Sequence, residues 1–374
     1  MIVFEFKLKG SKEQFLKIEE AIRTCQFIRN KVLRYWRDNK DSKPKRFDLS
    51  KQCKPLSEEF EFCRKLNSMA RQASADRAWL SIERFFKKLG KFPKFKKNNR
   101  SVTYKTSGWK LSEDRKHITF TDGLEIGRLK LIGSKDLLFY SKESIKRVTL
   151  VKRADGYYAQ FTINYERKET QEKTGKIIGI DLGLESFLTD SEGNKVDNPR
   201  FLRKSETKLK KLQRLVSKRK KGSIRRKKAI QALGKKHLQV SRQRKDFAVK
   251  TARELCLSND KVVLENLQSR NMVRNRCLAK SICDASWRLF RNWLDYFGKV
   301  FDREIITIDP KYTSQECSSC GATVKKSLSI RTHVCPHCGY IADRDHNAAI
   351  NILRRGTAEF TLREKKSSGV LALC

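Results

Sequence analysis

The chain has 374 residues, enough for two or three domains with a real core. Its 85 Lys and Arg against 42 Asp and Glu leave a formal net charge of +43, far beyond what solubility needs, so a polyanion such as nucleic acid is the expected partner. No apolar run approaches the ~20 residues of a membrane span, and the 11 cysteines with the charged start MIVFEFKLKG, too short for a secretory signal, lead us to expect a reducing cytoplasmic setting.

Residues 2–8, IVFEFKL, alternate apolar and charged as a strand does. From about 11 to 90 the period is helical. FLKIEEAIRTCQFIRNKVLRYW places Phe27, Ile28, Val32, Leu33 and Trp36 on one side, and LNSMARQASADRAWLSIERFFKKL repeats the pattern to Gly90. KFPKFKKNNRS then alternates aromatics with lysines around Pro93. Lys94, Phe95, Lys96 and Lys97 suit contact with a sugar-phosphate backbone plus base stacking, and a solvated linker fits the composition equally. From 101 to 166 the period falls to two, in short runs separated by turn signals such as Asp155-Gly156, which predicts a small barrel or sandwich. The first strand would join that sheet, with the helices inserted between.

KIIGIDLG, 176–183, is an apolar strand that ends on Asp181, and SFLTD and NKV follow as further strand-like stretches. Residues 200–255 hold 22 Lys and Arg against 3 Asp and Glu. Their apolar stripe is interrupted at Gly222-Ser223, which predicts two helices hinged there. So steep a charge excess favours a phosphate-tracking surface over a merely solvated face, with Arg225, Arg226, Arg242 and Arg244 as candidates. KVVLENL, 261–267, delivers Glu265; DASWRLFRNWLDYFGKVF, 284–301, predicts a helix with a wide apolar face; REIITIDP, 303–310, is another strand, whose Asp309 precedes Pro310 and reads as structural.

Cys317-Ser-Ser-Cys320 and Cys335-Pro-His-Cys338 are two hairpins of metal-ligand spacing, each followed by glycine. Four thiolates make a closed, structural zinc site; His333 and His337 are alternative ligands that the site does not need. The other cysteines read as core or surface thiols. The second hairpin runs straight into DRDHNAA, where Asp343 predicts a helix cap, Asp345 lies two residues on, and His346 reads as a supporting residue. After 356 no period is clear, and disorder is one reading of the tail 357–374.

Three strands, long helix, strand, helix, strand, helix is the order of the ribonuclease-H-like fold, an α/β architecture. That fold carries one acid on the first strand, one at the end of the fourth strand and one on the last helix: here Asp181, Glu265 and Asp345. Carboxylates between apolar strands are expensive without a partner. Mg²⁺ or Mn²⁺ provides one, and paired ions hydrolyse phosphodiesters.

GIDLG, LEN and DRDHNAA, with TSQECSSCG before CPHCG, resemble TnpB, the OrfB-type proteins of bacterial insertion sequences. The likeness covers 176–356 and extends more loosely to FIRNKVLRYW and FPKFKK. It implies a multidomain protein: a wedge β-barrel over 1–10 and 101–170, a helical recognition lobe over 11–100, a RuvC nuclease domain over 171–312 and 343–356, and a zinc ribbon inserted at 313–342. It further implies an RNA-guided DNA endonuclease that cuts double-stranded DNA beside a short flanking motif. Asp181, Glu265 and Asp345 would be catalytic on Mg²⁺, and Cys317, Cys320, Cys335 and Cys338 would hold Zn²⁺. The implied partners are a guide RNA from the transposon end, with one protein per RNA expected, and target DNA in a bacterial cytoplasm or nucleoid. Ser68, Arg71 and Gln72 are candidates for reading the flanking motif, although ordinary helix-surface polarity also accounts for them. Asn266 departs from the Asp of many relatives and lowers local charge. A compact type V CRISPR effector and a non-cleaving guided repressor are the alternatives; a transposase acting on transposon ends lacks an obvious nucleophile.

Overall fold

In the computed structural model, residues 1–327 and 330–367 are described. The chain divides into two compact units, at Met1–Glu166 and from Arg167 onward.

The first unit opens with strand β1 (Ile2–Lys9) and helix α1 (Lys12–Asp38). Ser11 caps α1 in a capping box with Gln14, whose side-chain amide also reaches the carbonyls of Ile126 and Arg128 and so ties the helix start to the sheet. Three short helices follow, α2 (Arg46–Lys51), α3 (Cys53–Glu59) and α4 (Glu61–Lys65), then α5 (Ser68–Phe86). Ile18, Ile22, Cys25, Ile28, Val32 and Trp36 form the buried stripe of α1, and the buried alanines Ala70, Ala75 and Ala78 of α5 belong to the same packed core.

Strands β2 (Ser101–Tyr104), β3 (Trp109–Leu111), β4 (His117–Phe120), β5 (Gly127–Ile132), β6 (Ile145–Arg153) and β7 (Gly156–Ile163) build one antiparallel sheet with β1, in the order β2-β6-β7-β1-β5-β4-β3. The N-terminal strand sits near its centre, paired from Ile2 opposite Ile163 on one side and from Lys7 opposite Ile132 on the other. Residues that begin the chain therefore complete a sheet made 100 residues later, and the helices form an insertion. The end strands β2 and β3 are not hydrogen-bonded to each other.

The second unit contains β8 (Ile177–Asp181), β9 (Ser186–Asp190), β10 (Lys195–Asp197), α6 (Phe201–Lys218), α7 (Ile224–Ser258), β11 (Lys261–Glu265), α8 (Ser269–Met272), α9 (Arg276–Ala285), α10 (Trp287–Phe301), β12 (Glu304–Ile308), β13 (Thr332–Val334), β14 (Ile341–Asp343) and α11 (Arg344–Ser367). Its main sheet runs β10-β9-β8-β11-β12, with β8, β11 and β12 parallel and β9 antiparallel to β8. One face is covered by α7 and α10, where Phe187, Phe247, Phe290 and Phe297 pack edge to face or in a common cluster. The other is covered by α11, with Val263, Ile306, Ile308 and Ile352 between.

Two details differ from expectation and one agrees with it. The helix expected from 284 begins at Trp287, because Ser286 adopts a left-handed conformation (φ 57°) between α9 and α10. The two helices expected across Gly222-Ser223 are present, with Gly222 at φ +84° and Ser223 capping α7. The last helix does not stop at 356 but continues to Ser367; residues 368–374 of the expected tail lie outside the described residues.

Helix α11 lies on the sheet at backbone distance. A Cβ added to Gly179 would sit 2.4 Å from the Ala349 carbonyl oxygen and 2.7 Å from the Leu353 nitrogen, and one on Gly356 would meet Val263 at 2.3 Å. We predict that Gly179→Ala costs more than the ~1–3 kcal/mol of ordinary overpacking, because the obstacle is main chain. Thermal unfolding of the purified variant checks this; a melting temperature equal to wild type would contradict it.

A carboxylate cluster beside a four-cysteine site

Asp181 and Glu265 are the last residues of the neighbouring parallel strands β8 and β11. With Ile180 opposite Leu264, the next residue of each strand is an acid, at the same edge of the sheet. Asp345 stands in the first turn of α11, and a Cβ on Gly183 would lie 3.9 Å from its Oδ2, so the carboxylate faces the loop that follows Asp181. Asp343 accepts hydrogen bonds from the backbone amides of Asp345 and His346, so it caps this helix as expected. His346 contacts the Ser191 carbonyl through Nε2 and braces α11 against the β9–β10 turn.

The neighbouring acids perturb Asp181. Burial, then the charges of Glu265 and Asp345, pushes Asp181 up to about 8. Burial also raises Glu265, against the pull of a hydrogen bond donated by Thr313. Asp345 is paired with Arg344 at 3.2 Å and with Arg331 at 3.5 Å, and Arg331 also bonds Glu185 at 3.0 Å. Asp309 bonds the Lys311 amide, the structural role expected of it. The three carboxylates are arranged more openly than the cysteines: among the described residues, only the four cysteines bring every ligand atom within 4.8 Å.

Those sulfurs have the geometry of a metal clip. Cys317 and Cys338 are 3.7 Å apart, and Cys320 and Cys335 are 3.6 Å apart. A disulfide needs about 2.05 Å, whereas a tetrahedron of ~2.3 Å zinc–sulfur bonds sets its corners about 3.8 Å apart. Each hairpin turns identically: Gly321 N–H donates to Cys317 and Gly339 N–H to Cys335, with both glycines at positive φ (+78° and +72°). The cluster can therefore bind zinc. His333 lies buried within the ribbon, its Nδ1 against Lys326, and is not part of the cluster.

Sequence reading missed what joins the two sites. Asn347 donates to the Glu316 carbonyl at 2.7 Å and accepts from Ser318 N–H at 2.9 Å. One turn on, Asn351 donates to the carbonyls of Thr313 and Glu316. Both asparagines are fully buried, and Arg355 completes the joint with an ion pair to Glu316 at 2.6 Å. The helix that carries Asp345 thus grips the backbone leading into the first cysteine hairpin. The one available signal was two asparagines four apart in DRDHNAAIN, on an otherwise apolar helix.

The nucleic-acid candidates divide. The 92–97 segment is not a solvated linker: Arg29 binds the Lys94 carbonyl, Asn30 bonds Lys96 at both its N–H and its C=O, Gln26 binds the Lys97 carbonyl, and the Arg37 guanidinium lies 4.3 Å from the Phe95 ring centre. Ser68, Arg71 and Gln72 border a cavity of about 300 Å³ at the start of α5. Arg225 and Arg242 are exposed. Arg226 instead binds the Val216 carbonyl and clasps α6 to α7, and Arg244 binds Asp284, which in turn caps the first amides of α6. These two act inside the protein, whereas Arg225 and Arg242 face solvent.

Two predictions follow from this geometry. Asp181 has a folded pKa above its unfolded value, so in magnesium-free protein its ionisation costs stability: the loss begins as pH rises past about 4 and is complete above about 8. Asp181→Asn removes that loss, and we expect it to melt above wild type at pH 8.5 and level with it at pH 4. Separately, Cys335→Ser should empty the chain of zinc by elemental analysis, whereas Asn351→Ala should keep zinc yet lose about 1–3 kcal/mol of stability through carbonyls left unbonded.

Comparison with known proteins extends this picture. Residues 160–276 match the OrfB family of IS605 elements, described as "Probable transposase", and residues 287–352 match the Cas12f1-like TNB domain. A Streptomyces pristinaespiralis protein named "Putative RNA-guided DNA endonuclease" is 32% identical over 81% of this chain and 75% of its own length. An Escherichia coli protein, "Putative RNA-guided DNA endonuclease InsQ", is 25% identical over 98% and 95%. The fold is shared with Cas12f1 in its complex with sgRNA and target DNA, at a TM-score of 0.57 and 13% identity over 91% of this chain and 82% of that one. With family-model matches across its second half and a relative at this identity over four-fifths of its length, the chain belongs to the TnpB family.

Proposed function

We propose that this chain is an RNA-guided DNA endonuclease that cuts double-stranded DNA in a single site made by Asp181, Glu265 and Asp345. The observation that carries the reading is the pairing of β8 with β11 one residue short of two acids, with α11 laid across β8 to add the third. We assign the second unit as a RuvC-type domain of ribonuclease-H-like order, 171–312 and 343 onward, interrupted by a zinc ribbon at 313–342. In the first unit the sheet is assigned as the wedge and its inserted helices, 11–100, as the recognition lobe.

The three carboxylates would hold Mg²⁺ or Mn²⁺, which supplies activation of a water and stabilisation of the leaving oxygen when bound. The protein's own contribution is placement. Thr313 orients Glu265, and Arg344 and Arg331 hold Asp345. An Asp181 carboxyl that resists ionisation alone would gain from a bound cation and would give up its proton to solvent as the cation binds. All three acids are present, which separates this chain from a guided repressor that binds without cutting.

A guide RNA and target DNA are the proposed partners, as sgRNA and target DNA are for Cas12f1. Base pairing then reads sequence and the protein reads a short flanking motif. Arg71 supports a reading role for the start of α5: its Nε and Nη1 are buried without a hydrogen-bond partner among the described residues, at the cavity shared with Ser68 and Gln72. An arginine fork is suited to a guanine edge.

Sequencing the RNA that co-purifies, then offering its complement in a DNA library with randomised flanks, tests the whole reading. We expect cutting beside one short motif. Asp181→Ala should bring cleavage to background while RNA-dependent DNA binding persists. Loss of DNA binding in a folded Asp181→Ala protein would make this acid structural instead.

A further inference from the structure

We propose that a pocket between the tips of α1 and α5 and the 87–92 segment holds an unpaired base of the bound RNA; the assignment rests on the RNA-guided reading. The pocket encloses about 460 Å³, within the range of small-ligand sites. Its walls are five aromatic side chains, Trp36, Trp79, Phe85, Phe86 and Phe92. The rings pack edge to face or tilted, Trp36 to Phe86 at 81°, Phe85 to Phe92 at 83° and Trp36 to Phe92 at 43°, so no ring of these pairs lies flat on the other. Phe86 is 65% exposed and Phe92 40%, an unusual concentration of aromatic surface for so charged a chain.

The mouth is cationic. Lys40, Lys43 and Lys45, from the loop between α1 and α2, line it, and Lys40 lies 5.9 Å from the Phe92 ring. The pocket is also preformed. Phe92 carries the Arg37 guanidinium at 5.0 Å, and Arg37 bonds the next residue's carbonyl, so the wall is anchored to α1.

A flat apolar body with an anionic handle satisfies both halves of such a site, and a nucleotide is that: base against the rings, phosphate among the lysines. A second copy of the chain would bring the same three lysines against these, like charge on like. Paired bases of duplex DNA or of a heteroduplex have their faces covered already. The loops of a structured RNA offer unpaired bases for as long as the RNA is bound, and stacking such bases on aromatic side chains is how proteins commonly read RNA.

Full-length protein purified with its own RNA would be irradiated with ultraviolet light, digested and analysed by mass spectrometry. We expect a ribonucleotide adduct on the peptides holding Trp79 to Phe92. In protein stripped of RNA, Phe86→Ala should weaken binding of an oligouridine of about 20 nucleotides roughly tenfold, and leave binding of duplex RNA of equal length unchanged. Phe139→Ala, an equally exposed aromatic outside the pocket, should change neither. The assignment is overturned by adducts elsewhere but none here, by an unchanged oligouridine affinity in Phe86→Ala, or by a concentration-dependent dimer that Phe86→Ala dissolves without altering RNA affinity. An adduct that forms only after DNA is added, and carries deoxyribose, overturns it in favour of the displaced DNA strand. Protein that carries no RNA at all overturns the guided reading together with the pocket, whereas bound RNA with no adduct here overturns the pocket alone.

Discussion

The second unit depends on a main-chain contact between α11 and β8. Glycine at 179 removes the side chain that would hold helix and strand apart, and the helix settles on the strand with its carbonyl and amide groups where a Cβ would be. That depth of approach decides where Asp345 stands relative to Asp181. It also fixes Asn347 and Asn351, two and six residues on, as the grips for the cysteine ribbon. One missing methyl group thus sets both the third carboxylate and the ribbon.

This explains why four clustered thiols sit directly before an acid in sequence. The ribbon is too small for a core of its own, and a metal held by those thiols would take the place of one. Once folded, it presents a rigid backbone edge at Thr313–Ser318 to α11, and Thr313 reaches back to Glu265. Two of the three acids are therefore positioned from the ribbon side, one through its helix and one through a hydroxyl. The sheet register sets Asp181 and Glu265 side by side, and Thr313 adds its hydrogen bond to the second.

Much of this was legible in the sequence, and the reason is physical. Short β-branched apolar runs that end on an acid, such as IIGID and VVLE, read as buried strands that deliver the acid to an edge, and paired Cys-x₂-Cys hairpins admit few other readings. Helix α11 beyond 356 was not legible, because TAEFTLREKK has no apolar period to mark it. The short helices α2 to α4 were missed since fewer than two turns give no repeat to detect. Arg244 looked like a phosphate ligand because its partner, Asp284, lies 40 residues away, and Thr313, Asn347 and Asn351 acquire their roles only through tertiary contact. Charge density marks residues 200–255 as basic, yet it cannot say which of the arginines there turn inward, as Arg226 and Arg244 do.

The four thiols are not equally sheltered. Cys317 and Cys335 are buried, while Cys320 and Cys338 face solvent. An oxidant or electrophile therefore meets the outer pair first, and damage there loosens the edge that Asn347 and Asn351 hold. Although no step of phosphodiester hydrolysis transfers electrons, the protein's working lifetime is tied in this way to the reducing power of its surroundings.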